Sequence, residues 1–137
     1  MPSQDHRLPL VYSCSGCSSA AQMANAVAIR LDRAKHAEMS CIAGVGGDVP
    51  SLVRLARSGR PIVAIYGCPL HCVRSCLARY GVTPSLHLTL TELGIRKKYH
   101  MEFKESEATA VFEGIVANLQ AEAIGTQARE SKSTVAP

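Results

Sequence analysis

The stretch Gly59-Arg60-Pro61-Ile62-Val63-Ala64-Ile65-Tyr66-Gly67-Cys68-Pro69 decides the fold. Its centre, Ile62 to Tyr66, is uniformly apolar between two turn signals, the pattern of a central parallel strand buried on both faces. Downstream, Pro69 suits a first helical position, and the spacing predicts a helix over Leu70 to Tyr80 that Gly81 ends. Leu86 to Leu90 then alternates leucine with His87 and Thr89, which predicts an edge strand with one wet face. Upstream, Leu8 to Ser13 reads as a short buried strand ending at Cys14-Ser15-Gly16-Cys17. Ser18 or Ser19 caps a helix to about Lys35, with Ala20, Ala24, Val27 and Leu31 at helical spacing. Ala37 to Ile42 is a further short strand, carrying Cys41 and followed by the loop Ala43-Gly44-Val45-Gly46-Gly47-Asp48. Asp48 is expected to cap a helix reaching about Ser58, with Pro50 in its first turn. A last amphipathic helix is expected over Glu107 to Ala123, with Gly125 as its cap.

Strands alternating with helices at this spacing imply βαβ units, hence an α/β fold with a small, mostly parallel sheet and helices on both faces. With 137 residues, 47% of them hydrophobic, the chain can bury one core. Residues 1–125 are expected to form a single cysteine-rich domain, and the polar residues 126–137 a disordered tail. No apolar run approaches the roughly 18 residues of a membrane span, so a membrane partner is not expected. Asp5, His6 and Arg7 stand where a signal peptide would place its apolar stretch, which points to the cytoplasm.

The net charge of +4 is unevenly placed. Residues 54–98 hold eight basic side chains against one acidic, whereas residues 1–53 balance and residues 99–137 are acidic. That basic middle third suits a protein partner or offsets clustered thiolates. Nucleic acid is disfavoured, because no Trp and six Tyr and Phe together leave few bases a platform to stack on.

Six cysteines in a reducing compartment suggest metal or redox chemistry before disulfides. In a parallel sheet ligands gather at the carboxyl ends of the strands, and three strands deliver cysteine there: Cys14 and Cys17, Cys41, and Cys68. Cys14-x-x-Cys17 brings two sulfurs close enough for one ion, and Cys68-x-x-x-Cys72 places two more a helical turn apart. Cys17 and Cys68 are each expected just before a helix, whose free N–H groups favour a thiolate. The metal set is therefore Cys14, Cys17, Cys41, Cys68 and Cys72, one more than a tetrahedral ion needs, so one is a spare thiol or a replaceable ligand. All-sulfur ligation admits zinc, an iron–sulfur cluster or Cu(I) and argues against magnesium and calcium; zinc ranks first.

Other features carry bland readings. Cys76 continues the Cys68, Cys72 face and reads as a buried core thiol, and His71 as a solvated histidine. The glycine loop before Asp48 matches neither the dinucleotide nor the P-loop pattern, although its N–H groups are placed to donate to Cys41 sulfur. Arg96-Lys97-Lys98 reads as a solvated basic loop.

The runs YSCSGCSSAAQMANAVAIRLDR, EMSCIAGVGGDVPSLVRLARSGRPIVAIYGCPLHCVRSCL and LTELGIRKK together resemble the DGC-domain family. The order CxxC, Ser-Cys, Gly-Cys-Pro-x-x-Cys and Leu-Gly-Ile-x-Lys carries the resemblance over residues 10 to 98. It implies a small cytoplasmic protein whose Cys14, Cys17, Cys41, Cys68 and Cys72 bind zinc. Where the family has Asp-Gly-Cys this chain has Tyr66-Gly67-Cys68, so the carboxylate beside the site is replaced by a phenol that donates a hydrogen bond or simply packs. The expected function is a thiolate zinc site, structural or in metal handling or sensing. A thiol-based redox or sulfur-transfer protein and an iron–sulfur protein are the alternatives, and the residues do not decide between enzyme and binding module.

Overall fold

A computed structural model describes residues 8–135, with side chains through residue 122. The apolar run becomes a central strand, as expected. In chain order the elements are β1 (Leu10–Ser13), α1 (Ser19–Arg33), β2 (Glu38–Met39), α2 (Ile42–Gly46), α3 (Pro50–Ala56), β3 (Ile62–Tyr66), α4 (Cys72–Ala78), β4 (Leu86–Thr89) and α5 (Glu105–Val135). A single 3-10 turn, Leu90–Leu93, follows β4. The four strands form one sheet in the order β2-β1-β3-β4, and every pairing is parallel.

That order reverses direction at β1. Because β-α-β crossovers are right-handed, the step from β1 to β2 puts α1 on one face, and the return to β3 puts α2 and α3 on the other. The packing agrees: α1 lies on β1, β2 and β3 and against α5, while α2 contacts α3 and α4, and α4 lies on β3. The core is built on the fully buried Leu10, Tyr12, Met23, Leu31, Ile65, Tyr66, Leu77 and Ile115. Truncating one of these, such as Leu31→Ala, is expected to cost about 2–5 kcal/mol.

At the amino ends of the strands, Arg60 donates to Glu38 Oε1 at 3.0 Å and to the Leu8 carbonyl at 2.8 Å, with both ionic side chains almost wholly buried. This ties three strands together at the edge opposite the cysteines.

Several local expectations change. The glycine loop after Cys41 is not a loop but the helix α2, and Asp48 does not cap the helix that follows. Gly44 in α2 packs so closely on α3 that a Cβ there would lie 2.0 Å from Leu52 Cδ1, so tertiary contact overrides the low helix propensity of glycine. Asp48 has φ +64°, and its carboxylate accepts from Tyr80 Oη and pairs with Arg79 at 3.0 Å. The Tyr80 hydroxyl, before Arg79, holds the Asp48 carboxyl below its usual range. Val49 takes the cap position without a side-chain bond. The helix expected from Pro69 begins only at Cys72, because His71 adopts φ +53°, a left-handed conformation that α-helix cannot include. β2 shrinks to two residues, and α5 starts at Glu105 and passes Gly125, the expected cap. Side chains of the tail expected over 126–137 lie outside the described residues.

Candidate functional site

Three strand ends present cysteine at one edge of the sheet. Cys14 directly follows β1, Cys41 stands two residues beyond β2, and Cys68 two residues beyond β3. Since the strand order reverses between β1 and β3, the crevice at their carboxyl ends is where an α/β sheet binds its ligands. Cys14 and Cys68 flank that crevice. Cys41 lies on the other side of β1, about 10 Å from the β3 end by two strand spacings.

The backbone fixes Cys14 first. Its N–H donates to the Ile65 carbonyl at 3.0 Å, extending the β1–β3 ladder by one residue. Its thiol is buried, 8% exposed, and burial pushes its pKa above the ordinary thiol range. The nearby Gly67 and Val73 backbone N–H groups oppose the shift, and the neighbouring Cys72 and Cys68 add to it. Cys14, Cys68 and Cys72 thus share one neighbourhood, and two backbone N–H groups lie near its buried sulfur.

Gly67 makes this approach possible. A Cβ there would lie 2.8 Å from the Ala21 nitrogen and 3.0 Å from the Ala20 carbonyl carbon, so only glycine lets the chain leaving β3 rest on the first turn of α1. Ser18 caps that turn, accepting from the Ala21 N–H at 3.1 Å. Cys17 stands exposed just before the cap.

Ser19 fastens a third segment to the same turn. Its N–H donates to the Lys98 carbonyl at 2.8 Å, and its hydroxyl accepts from the Lys98 N–H at 2.9 Å. The run Arg96-Lys97-Lys98 is a loop with Arg96 exposed, as expected, but its backbone is held in place. Lys97 Nζ lies 3.5 Å from Cys68 Sγ and 5.3 Å from the Tyr99 ring centroid. Its contacts with Tyr99 and then Cys68 raise the lysine pKa, so the site carries a fixed cation beside a half-exposed thiol. The sequence signal was present, since Lys97 is the lysine of the Leu-Gly-Ile-x-Lys run.

Cys68 does not gain a helix start, because α4 begins four residues later. Cys72 is exposed at the first position of α4. Cys76 is half-buried under α2, where a Cβ on Gly46 would sit 3.1 Å from its Sγ. Cys41 caps α2, its sulfur accepting from the Gly44 N–H at 3.4 Å, as the glycine-loop reading allowed.

His71 is anchored rather than solvated. Its Nε2 lies 2.9 Å from Thr89 Oγ1, and its ring packs on Tyr66 at 4.4 Å between centroids. Tyr66 is 0% exposed, and its hydroxyl has no hydrogen-bond partner among the described residues. Burial raises its pKa, Arg74 opposes this and Cys14 adds to it. The phenol that replaces the family's carboxylate thus packs, and leaves a buried polar atom with Cys14 in its electrostatic surroundings.

The chemistry of the donor set suits a soft cation: three sulfurs stand in one neighbourhood, backbone N–H groups and one ammonium offset thiolate charge, and Cys17 is a further sulfur on the adjoining loop. Among the described residues no three Cys, His, Asp or Glu side chains are yet arranged to share one ion. Binding would have to draw the sulfurs together. No helix among them is long and apolar enough to cross a membrane.

A family model for the DGC domain matches residues 10–115. A protein of Pseudomonas aeruginosa named anaerobic and virulence modulator AnvM is 64% identical over 110 residues, which cover 80% of this chain and 84% of that protein. No solved structure matches.

Proposed function

Because the chain belongs to the DGC domain family, we propose that it is a regulatory thiol protein of the cytoplasm that holds one soft metal ion, zinc in the first place, at the β1/β3 crevice. Cys14, Cys68 and Cys72 are the core ligands and Cys17 the fourth, which leaves Cys41 as the spare thiol. What supports this reading is the delivery of Cys14 and Cys68 to adjoining strand ends, with Cys72 close enough to influence the Cys14 thiol. Lys97 supports it by balancing negative charge at Cys68. Zinc would supply structural cross-linking of three segments and a charge that keeps the thiols ionised.

A relative named as a modulator favours a regulatory role over a catalytic one. The basic middle third, with Arg54, Arg57 and Arg74, is then the surface for a protein partner. The test is elemental analysis, per chain, of protein purified without oxygen or chelator. About one zinc in wild type, lost in Cys14→Ser and kept in Cys41→Ser, supports the site. A metal-free folded protein overturns it, and iron in place of zinc moves the reading to the iron–sulfur alternative.

One observation favours a second reading. Lys97 beside the half-exposed Cys68 is the environment of a reactive thiolate, which suits redox or sulfur-transfer chemistry. Alkylation of native protein at pH 6 would then label Cys68 before the other five, and uniformly slow labelling would count against it.

A further inference from the structure

A second site lies on the far side of β1 from the crevice. A cavity of about 750 Å³ opens between the end of α1, the outer side of β2 and α3. We propose that it binds a neutral, mainly aromatic small molecule carrying one hydrogen-bonding group. Its size falls among ligand pockets, which span roughly 300–1,000 Å³. Met39, Leu52 and Leu55 give it apolar walls. Two of its lining groups, Met39 and Cys41, carry sulfur, which packs favourably on the edges of aromatic rings.

Charge sets the ligand's neutrality. The charged residues that line the cavity are Asp32 and Arg33, and they pair with each other. A charged ligand would therefore find no net counter-charge there. The hydrogen-bonding group follows from Ser40, which lines the cavity, is about nine-tenths buried and has no partner for its hydroxyl at hydrogen-bond distance among the described residues. Tyr12 is fully buried beside it: burial raises the Tyr12 pKa and the facing Ser40 hydroxyl opposes that shift, although neither hydroxyl has a partner at full hydrogen-bond distance among the described residues. Buried polar groups of this kind are normally satisfied, and a ligand atom is one way to satisfy them.

A peptide strand is the occupant that the edge of a sheet ordinarily attracts. Here the Glu38 and Ser40 N–H groups point to β1, so the Met39 N–H points outward. Asp32 Oδ1 already accepts from it at 2.9 Å. With its one outward donor engaged by the chain itself, β2 presents no ladder for an added strand, and the cavity is left to a small molecule.

The probe is N-phenyl-1-naphthylamine, a neutral aromatic amine that fluoresces when it leaves water, titrated into the full reduced chain. Saturable binding at one site is expected. Ser51 is an exposed residue of α3 on the cavity wall, so Ser51→Trp fills the space without touching the core and should weaken binding about tenfold or more. Bound probe should also slow iodoacetamide alkylation of Cys41 severalfold, read by peptide mass spectrometry, and leave Cys17 unchanged. Absence of saturable binding overturns the proposal. So does binding that leaves Cys41 as reactive as before, which places the probe elsewhere even if Ser51→Trp does not fold. Neither outcome bears on the metal site, whose ligands lie on the other side of β1.

Discussion

The two flanks of β1 receive the same raw material and use it differently. Each has a cysteine just past a strand end, a short helix and glycines nearby. On the β3 flank, Gly67 lets the departing chain touch α1, and Cys68 and Cys72 come close enough to influence the Cys14 thiol. On the β2 flank, the Cys41 sulfur is engaged by the Gly44 N–H and faces an open cavity. Delivery of a thiol to the edge of a sheet is thus only half of a site. The other half is a neighbouring strand whose exit is bent back toward it.

The harshest way to break this contrast is Gly67→Val. Its side chain would collide with the backbone of Ala20 and Ala21, and overpacking of this kind costs about 1–3 kcal/mol or more. Thermal unfolding should show a clear fall in Tm, together with loss of metal. Next is Cys14→Ser, expected to weaken zinc about a hundredfold, a four-ligand share of a structural zinc site's binding energy. A competition titration with a chromophoric chelator measures it, and Cys41→Ser in the same assay should stay at the wild-type value.

The third contrast is in pH. Burial raises the Cys14 pKa in the folded chain, so stability from the neutral thiol is fully present below the ordinary thiol pKa. It is lost as pH rises through the thiol range, where the unfolded chain ionises first. Metal-free protein should therefore lose stability above about pH 8.5, and Cys14→Ala should flatten the first part of that fall in urea denaturation. If the alanine variant falls as steeply, the buried thiol is not its source.

Smaller effects sharpen the comparison. Lys97→Ala should slow alkylation of Cys68 at neutral pH by about three- to tenfold, the effect of removing a neighbouring cation, and leave the rate at Cys41 unchanged. Smallest of all, Cys41→Ser should alter stability by no more than about 0.5 kcal/mol, because serine is itself a good helix cap.

Much of this architecture was legible in the residues. The five-residue apolar run from Ile62, the edge strand from Leu86 and the Ser18 cap each rest on local chemistry and reappear, although Thr89, expected on a wet face, is buried, and Leu90 already belongs to the 3-10 turn. The parallel α/β sheet followed from their order. Which cysteines become neighbours was not legible, because it depends on the spatial order β2-β1-β3-β4, which no local pattern encodes. Spacing alone put Cys41 on the same footing as Cys68. Likewise, Asp48 looked like a cap until Tyr80 and Arg79, more than thirty residues away, claimed its carboxylate. The glycines of α2 suggested a loop because their packing on Leu52 and Cys76 is a tertiary fact. His71 and Lys97 were underestimated for the same reason, since their partners Thr89 and Cys68 lie 18 and 29 residues away.

The serine that fastens the first turn of α1 to residues 96–98 has a consequence for how such a protein can be taken apart. Ser19 and Lys98 are 79 residues apart in the chain, yet they share two hydrogen bonds. The paired-cysteine loop and the lysine segment are therefore held as one unit, although the sequence keeps them far apart. A chimera that transplanted only residues 10–80 into a related sheet would carry every cysteine and arrive without Lys97. A functional graft has to move both ends together.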